Sequence, residues 1–304
     1  MTRFTNATLR QAASGYMQDP YEAEKKYGPI ADWDVSRVTD MSRLFARQGD
    51  RELQPECIQG ADLSRWDVSC VADMSMMFWR QFKFDCNLTA WDTSNVTDMM
   101  GMFGHCHKFN GNIGMWDVGH VTNMSHMFEH AHAFNQDLNL WRVANVRRMR
   151  SMFEQAVSFN GDISSWCVGN VYNMSFMFQH AHAFNVDLRS WVVLGIENCN
   201  RMFYGARSFN CDLRHWCLMH VTDMNYMFDG AHAFDGRLNP FIVYRMHVLR
   251  CHRPAKMLWH IARRLVRPMA KARCVMWYWM ELAARPDQCW AILRAYTKAF
   301  ESEF

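Results

Sequence analysis

Tryptophan marks a 25-residue period along most of the chain. Seven tryptophans stand 25 residues apart, Phe241 takes the next place, and Trp33 precedes the first of the seven by 33 residues. The regularly spaced residues are Trp66, Trp91, Trp116, Trp141, Trp166, Trp191 and Trp216. A fixed period of this length is typical of a repeat array. The first unit therefore carries an eight-residue insertion, which falls around residues 51–57.

Within a unit, numbered from its tryptophan as position 1, apolar residues fall at positions 3, 6, 9, 12, 13, 16, 19 and 23. Positions 6 to 16 are spaced three and four apart, which predicts one face of a short helix. Positions 23, 1 and 3 alternate with polar residues, which predicts a short strand. Because neither element can bury its apolar side alone, the units must stack. The pattern therefore predicts an α/β repeat solenoid of about eight strand–helix units.

Methionine is unusually abundant, and the repeat accounts for it. Positions 9 and 12 are occupied by methionine in most units, as in Met124 and Met127. Both positions complete the apolar face, and methionine fills irregular gaps in a core. Core filling is therefore favoured over a methionine path for copper(I).

The repeated unit resembles a known family. The stretch Asp-Leu-Ser-Arg-Trp-Asp-Val-Ser at residues 62–69 recurs with variations around Trp91 and Trp116. It resembles the repeat of the BspA-like leucine-rich-repeat proteins, and the resemblance covers residues 31–244. It implies a leucine-rich-repeat-like solenoid with an interaction role, preceded by a helical lead-in at residues 1–30. Bacterial members of that family are often surface proteins that bind host or matrix proteins, so a surface location is implied by analogy alone.

Charge separates the C-terminal segment, residues 245–304, from the rest of the chain. It carries 12 lysines and arginines against 4 acidic residues, whereas residues 1–244 carry 21 against 26. A predicted helix in this basic, tryptophan-rich segment gathers its cationic residues on one face: Lys256, His260, Arg263, Arg264 and Arg267. The open end of a repeat array needs a cap, so the segment is predicted to be a helical C-terminal cap. Attachment to a membrane or an acidic partner remains an alternative, and nucleic acid is disfavoured.

Targeting and redox signals are sparse. The N-terminus has no apolar stretch typical of a secretory signal, and no run of about 18 apolar residues occurs. Eleven cysteines with no Cys-x-x-Cys pair indicate a reducing compartment rather than a disulfide framework. We therefore expect a soluble protein that is cytoplasmic or otherwise intracellular.

Histidine pairs offer a candidate metal site. The motif His-x-His occupies positions 15 and 17 in three units, at residues 105–107, 130–132 and 180–182. Stacking of adjacent units would bring together His105, His107, His130 and His132, which could bind zinc, nickel or copper. A solvated or partner-facing row is the favoured interpretation, and no cofactor is predicted.

Asparagine or aspartate recurs at position 20, from Asp85 to Asp235. An inward ladder that satisfies backbone groups is favoured over a calcium site.

No nucleophile–base set, phosphate-binding loop or metalloprotease motif is present. The sequence therefore predicts a non-enzymatic scaffold that binds another protein through a repetitive surface. The predicted contact residues lie at positions 24, 25 and 2, beside the tryptophan: Arg65, Asn139, Arg142, Ser164, Arg189, Arg214 and His215.

Overall fold

The computed structural model describes most of the repeat region and the segment before it. The described residues are 3–47, 58–218, 220–238 and 242. The insertion around residues 51–57 and the predicted C-terminal segment at 245–304 lie outside them.

Two helices precede the repeats. Helix α1 spans Asn6–Gln18, helix α2 spans Pro20–Tyr27, and a 3-10 turn covers Ile30–Asp32. The hydroxyl of Thr5 accepts a hydrogen bond from the first turn of α1 as part of a capping box. Asp19 caps α2, which has proline at its first position, where the missing N–H costs nothing. Local sequence is thus sufficient to start both helices.

Helix α1 and the residue before its cap lie against the first unit. The ring centroids of Phe4 and Trp33 are 5.0 Å apart. Arg10 forms an ion pair with Asp40, with 2.8 Å between Nη2 and Oδ1. Apolar and polar contacts therefore join the helical segment to the start of the array.

Hydrogen bonds between units hold positions 8 to 15 of the array. A single parallel bridge joins position 8 of each unit to position 8 of the next, from Asp40–Asp73 to Asn198–Asp223. Backbone N–H groups at positions 9, 11, 13 and 15 donate to the next unit, as Met124 does to Arg148 at 3.0 Å. The N–H groups at positions 12, 14 and 16 donate within their own unit. Odd-numbered positions from 9 to 15 thus link neighbouring units, and even-numbered positions from 12 to 16 close turns within a unit.

In the units that the structure describes, the predicted helix and strand are wrong. Across the described residues of the array, positions 10 to 15 form consecutive turns, and extended pairing is limited to isolated bridges. Positions 11 and 15 adopt left-handed backbone conformations, with φ of 61° at His126 and 55° at His130. An α-helix cannot continue through such residues. In this segment, the spacing of three and four residues between apolar positions reflects tight turns in which positions 9, 12, 13 and 16 point inward.

Aromatic and aliphatic rows fill the core. The methionines at positions 9 and 12 are buried throughout the described array, as predicted. Aromatic rings stack from unit to unit: Trp141 and Trp166 lie 6.3 Å apart at 2°, and Phe153 and Phe178 lie 5.7 Å apart at 2°. Because each ring covers its neighbour's face, the core is continuous from unit to unit.

Further hydrogen-bond ladders join the units outside the bridges, and two of them differ in burial. In the buried one, each repeat tryptophan from Trp91 to Trp216 donates from Nε1 to a carbonyl 28 residues earlier, as Trp141 does to Ile113 at 3.0 Å. In the other, the backbone N–H at position 20 donates to the side-chain oxygen at position 20 of the previous unit, as in Asn185 to Asn160 at 2.8 Å. The position-20 ladder forms the predicted structural hydrogen bonds, but its residues are largely exposed rather than inward.

Within the described residues, no helix has both the length and the apolar character that crossing a bilayer demands.

Candidate functional site

The buried tryptophan is flanked by outward-facing residues. Positions 1 and 3 are buried, whereas positions 25 and 2 are exposed in most units and the chain turns at positions 24–25 and 4–5. We call the outward positions 24, 25, 2 and 4 the tryptophan edge.

Exposed apolar side chains concentrate on the tryptophan edge. Met115 and Leu140 occupy position 25 of adjacent units and are 71% and 69% exposed. Val192 and Leu194, at positions 2 and 4 of a later unit, are 57% and 54% exposed. Among the described residues, the remaining large apolar side chain of comparable exposure is Tyr21 on α2. The apolar surface of the array is therefore localised.

The seven residues predicted to contact a partner all lie on this edge. Arg65, Arg142, Arg189, Arg214 and His215 are exposed, and Asn139 and Ser164 are partly exposed. The four apolar residues were missed by the sequence analysis. The signal available was their departure from the small or polar residues at the same positions in other units.

Ion pairs hold several of the predicted arginines. Arg65 pairs with Asp32 at 2.6 Å, and Arg189 pairs with Asp187 at 2.5 Å. Hydrogen bonding to Arg189 lowers the pKa of the Asp187 carboxyl to about 2. Arg214 and Asp212 repeat the Arg189 arrangement one unit later. These contacts restrain the guanidinium groups at the surface before any partner binds.

The histidine rows lie at positions 15 and 17, at the end of the segment whose backbone N–H groups donate to the next unit. The rings of His105 and His130 stack at 4.5 Å and 11°, and those of His107 and His132 stack at 4.4 Å and 16°. The unit-to-unit pairing expected from the sequence is present. The four rings nevertheless form two stacks, which contact each other through His130 and His132, with 5.8 Å between ring centroids. The described group with metal-ligand spacing contains His105 and His130 without the other two.

Glu129 completes that group. Ligand atoms of His105, Glu129 and His130 all lie within 4.8 Å of one another. The second carboxylate oxygen of Glu129 is 2.8 Å from Nδ1 of His126. Glu129 was missed in the sequence because position 14 is not acidic in most units. Its proximity depends on the hydrogen bond from the N–H of His105 to its carbonyl, at 2.6 Å.

Burial governs the protonation of this group. Burial lowers the pKa of His105 to about 4, with a further contribution from His130. Burial also lowers the pKa of His130. For Glu129, burial raises the pKa, but the hydrogen bond from His126 and the electrostatic effect of the neighbouring histidines together outweigh burial, and the net pKa is lowered. At neutral pH the site therefore presents two neutral imidazoles and one carboxylate.

Gly205, at position 15 of the unit after His180, makes room for the ring of His180. A Cβ atom on Gly205 would lie 2.3 Å from Nδ1 of His180. The ring of His180 thus occupies the space that a position-15 side chain would need in the next unit.

The basic-tail residues predicted to bind a membrane or acidic partner lie outside the described residues: Lys256, His260, Arg263, Arg264 and Arg267.

Comparison with known proteins identifies a family without assigning a function. No curated protein matches the chain, and no solved structure matches it. A family model described as "Mycoplasma protein of unknown function, DUF285" matches residues 16–56, 51–158 and 138–241 in overlapping segments. These segments span the repeats and most of the chain. The chain is therefore a repeat protein that belongs to the DUF285 family.

Proposed function

We propose that the chain is a non-enzymatic scaffold that binds another protein through the tryptophan edge. The observation that carries this proposal is the localisation of Met115, Leu140, Val192 and Leu194 on that edge. Exposed apolar side chains cost solvation free energy, and clusters rimmed by polar groups are typical of protein-binding surfaces. Arg142 and Asn139 supply such a rim beside Leu140.

The proposal includes the architecture that presents this edge. We propose a solenoid related to the BspA-like leucine-rich-repeat proteins, with α1 and α2 covering its first unit. Parallel bridges at a spacing of 25 residues support a chain that returns to equivalent places once per unit. Such arrays form extended binding surfaces because each unit displays the same position at a regular spacing.

The paired arginines suit a contact role. Arg189 and Arg214 are held by carboxylates two residues earlier in the chain. Restraint before binding reduces the conformational entropy that a long side chain loses in an interface. Arginine and large apolar residues also contribute disproportionately to interface free energy.

The test compares proteins captured from a lysate of the source organism by three forms of the full-length chain. These are the unaltered chain, the double variant Met115→Ser/Leu140→Ser, and the matched control Tyr21→Ser, which removes an apolar group of similar exposure from α2. We expect at least one protein to bind the unaltered chain and the control but to be lost from the double variant. The captured protein, once purified, should bind the double variant at least about tenfold more weakly.

Equal capture by all three forms of the chain would show that Met115 and Leu140 do not belong to the binding surface. Far-ultraviolet circular dichroism of each variant confirms that a loss of binding does not follow from unfolding.

A further inference from the structure

Two histidines and a glutamate from neighbouring units lie together at a place that no known function explains. We propose that His105, Glu129 and His130 bind a divalent transition-metal ion of the zinc class. The proposal is independent of the tryptophan edge, because it concerns side chains at positions 14 and 15, whereas the edge comprises positions 24, 25, 2 and 4.

The backbone fixes the three residues in relation to one another. His105 and His130 have nearly the same φ, 60° and 55°, so their side chains leave equivalent backbone conformations in adjacent units. The N–H of His105 donates to the carbonyl of Glu129 at 2.6 Å, which holds position 14 of one unit beside position 15 of the previous unit. The ligands therefore belong to a hydrogen-bonded framework.

The distances require only side-chain adjustment. Ligand atoms lie within 4.8 Å of one another, whereas metal–nitrogen bonds of about 2.0–2.1 Å in a tetrahedral site place ligand atoms roughly 3.3 Å apart. The stacked rings cannot both direct a lone pair at one ion, so one imidazole must turn about its side-chain bonds. Both rings are only partly buried, which leaves room for this rotation.

The surroundings position the carboxylate. His126 binds one oxygen of Glu129 at 2.8 Å, which leaves the other oxygen available to a metal. Hydrogen bonds to metal-ligating groups of this kind orient the ligand and strengthen binding. Trp79 and His105 contact each other edge to face, with 4.9 Å between ring centroids, so Trp79 covers one side of the site.

The donor set selects the class of metal. Two imidazole nitrogens and one carboxylate suit zinc, cobalt(II), nickel(II) or copper(II), whereas calcium and magnesium prefer oxygen ligands alone. Arg80 lies near enough to influence His105 and opposes a cation, while Glu154 adds negative charge beside Glu129. With three protein ligands, a fourth coordination position remains for water or a group from a partner.

Another histidine, His180, provides a matched control. His180 occupies position 15 with φ of 56°, but position 14 of the following unit is Tyr204, whose ring it contacts at 5.1 Å. The variant His180→Ala therefore removes a histidine with the same backbone conformation as His105 and His130. Position 14 of the following unit holds Tyr204 there, in place of a carboxylate such as Glu129.

The experiment titrates the full-length, metal-free, reduced chain with Co²⁺ and records the visible and near-ultraviolet spectra. Cobalt reports its ligands, since thiolate coordination produces an intense near-ultraviolet charge-transfer band that nitrogen and oxygen ligands do not. The proteins compared are the unaltered chain, His105→Ala, Glu129→Gln and His180→Ala. Competition with Zn²⁺ then tests whether zinc displaces cobalt.

We expect a single Co²⁺ ion per chain with a d–d spectrum lacking a thiolate band, and displacement by Zn²⁺. His105→Ala and Glu129→Gln should abolish this binding, and His180→Ala should retain it. His126→Ala should weaken binding by about tenfold or more, since His126 only orients Glu129. Glu129→Gln keeps the shape of the side chain, so it remains informative if His105→Ala does not fold.

Absence of Co²⁺ binding by the unaltered chain would overturn the proposal. So would a thiolate spectrum, or binding that Glu129→Gln leaves unchanged.

Discussion

Two of the hydrogen-bond ladders that join neighbouring units differ in burial. In the buried ladder, Nε1 of Trp141 donates to the carbonyl of Ile113 at 3.0 Å. In the exposed ladder, the N–H of Asn185 donates to the side chain of Asn160 at 2.8 Å. The variants Trp141→Phe and Asn160→Ala each remove one link. We expect Trp141→Phe to lower the free energy of unfolding several times more than Asn160→Ala.

The magnitude follows from what each variant leaves behind. The carbonyl of Ile113 keeps a second hydrogen bond, from the N–H of Trp116 at 3.1 Å, so losing the indole donor costs about 1 kcal/mol rather than the full penalty of an unpaired group. The smaller ring buries roughly 50 Å² less, which costs about 1 kcal/mol at the usual 25 cal/mol per Å². With a residual cavity, the sum is about 2–3 kcal/mol. Water can replace the bond lost in Asn160→Ala, whose cost is about 0.5 kcal/mol.

The assay is equilibrium urea unfolding of the unaltered chain and both variants, followed by far-ultraviolet circular dichroism. Circular dichroism avoids the change in fluorescence that removal of a tryptophan causes. The comparison requires equal dependence of the unfolding free energy on urea in all three proteins, because a repeat array can lose cooperativity. If Asn160→Ala destabilises the chain as much as Trp141→Phe, burial does not determine the strength of these links and the reasoning is wrong.

Three further predictions address the repeat, pH and cysteine chemistry. Deletion of residues 142–166 removes one whole period and should leave a folded chain. Deletion of residues 142–153 should prevent folding, because it breaks the register in which the units stack. Circular dichroism and thermal unfolding distinguish the two outcomes. In the metal-free chain, burial lowers the pKa of His105 to about 4 while an unfolded histidine titrates near 6.5, so the unfolded state binds more protons between these values. Stability should therefore fall as pH drops from about 6.5 towards 4, and His105→Gln should reduce the slope of urea midpoint against pH; an unchanged slope would contradict this assignment. Cys70 is exposed, whereas burial raises the pKa of the Cys211 thiol to about 11. A brief reaction with iodoacetamide near neutral pH should therefore label Cys70 and leave Cys211 unmodified until urea unfolds the chain. Peptide mass spectrometry measures the labelling of each cysteine.

Sequence determined the repeat and its buried positions. The 25-residue spacing of tryptophan, with methionine and phenylalanine at fixed places between, identified the side chains that form the core, and Met124, Phe128 and Trp141 are buried accordingly. The same numbering placed His105 beside His130. These results follow because burial imposes a strong and periodic requirement on residue type, which a single chain displays once per unit.

The path of the backbone within each unit, and the polar groups that come into contact, follow from tertiary contacts between units. Spacing of three and four residues is shared by a helix and by tight turns with left-handed residues, and hydrogen bonds to the next unit favour the turns at positions 11 and 15. The same bonds bring Glu129 to His105, although 24 residues separate them. Exposure of the Asn160 ladder is likewise set by the path of the chain. Contacts between units depend on backbone direction and register, and the local pattern of residue types does not encode either one uniquely.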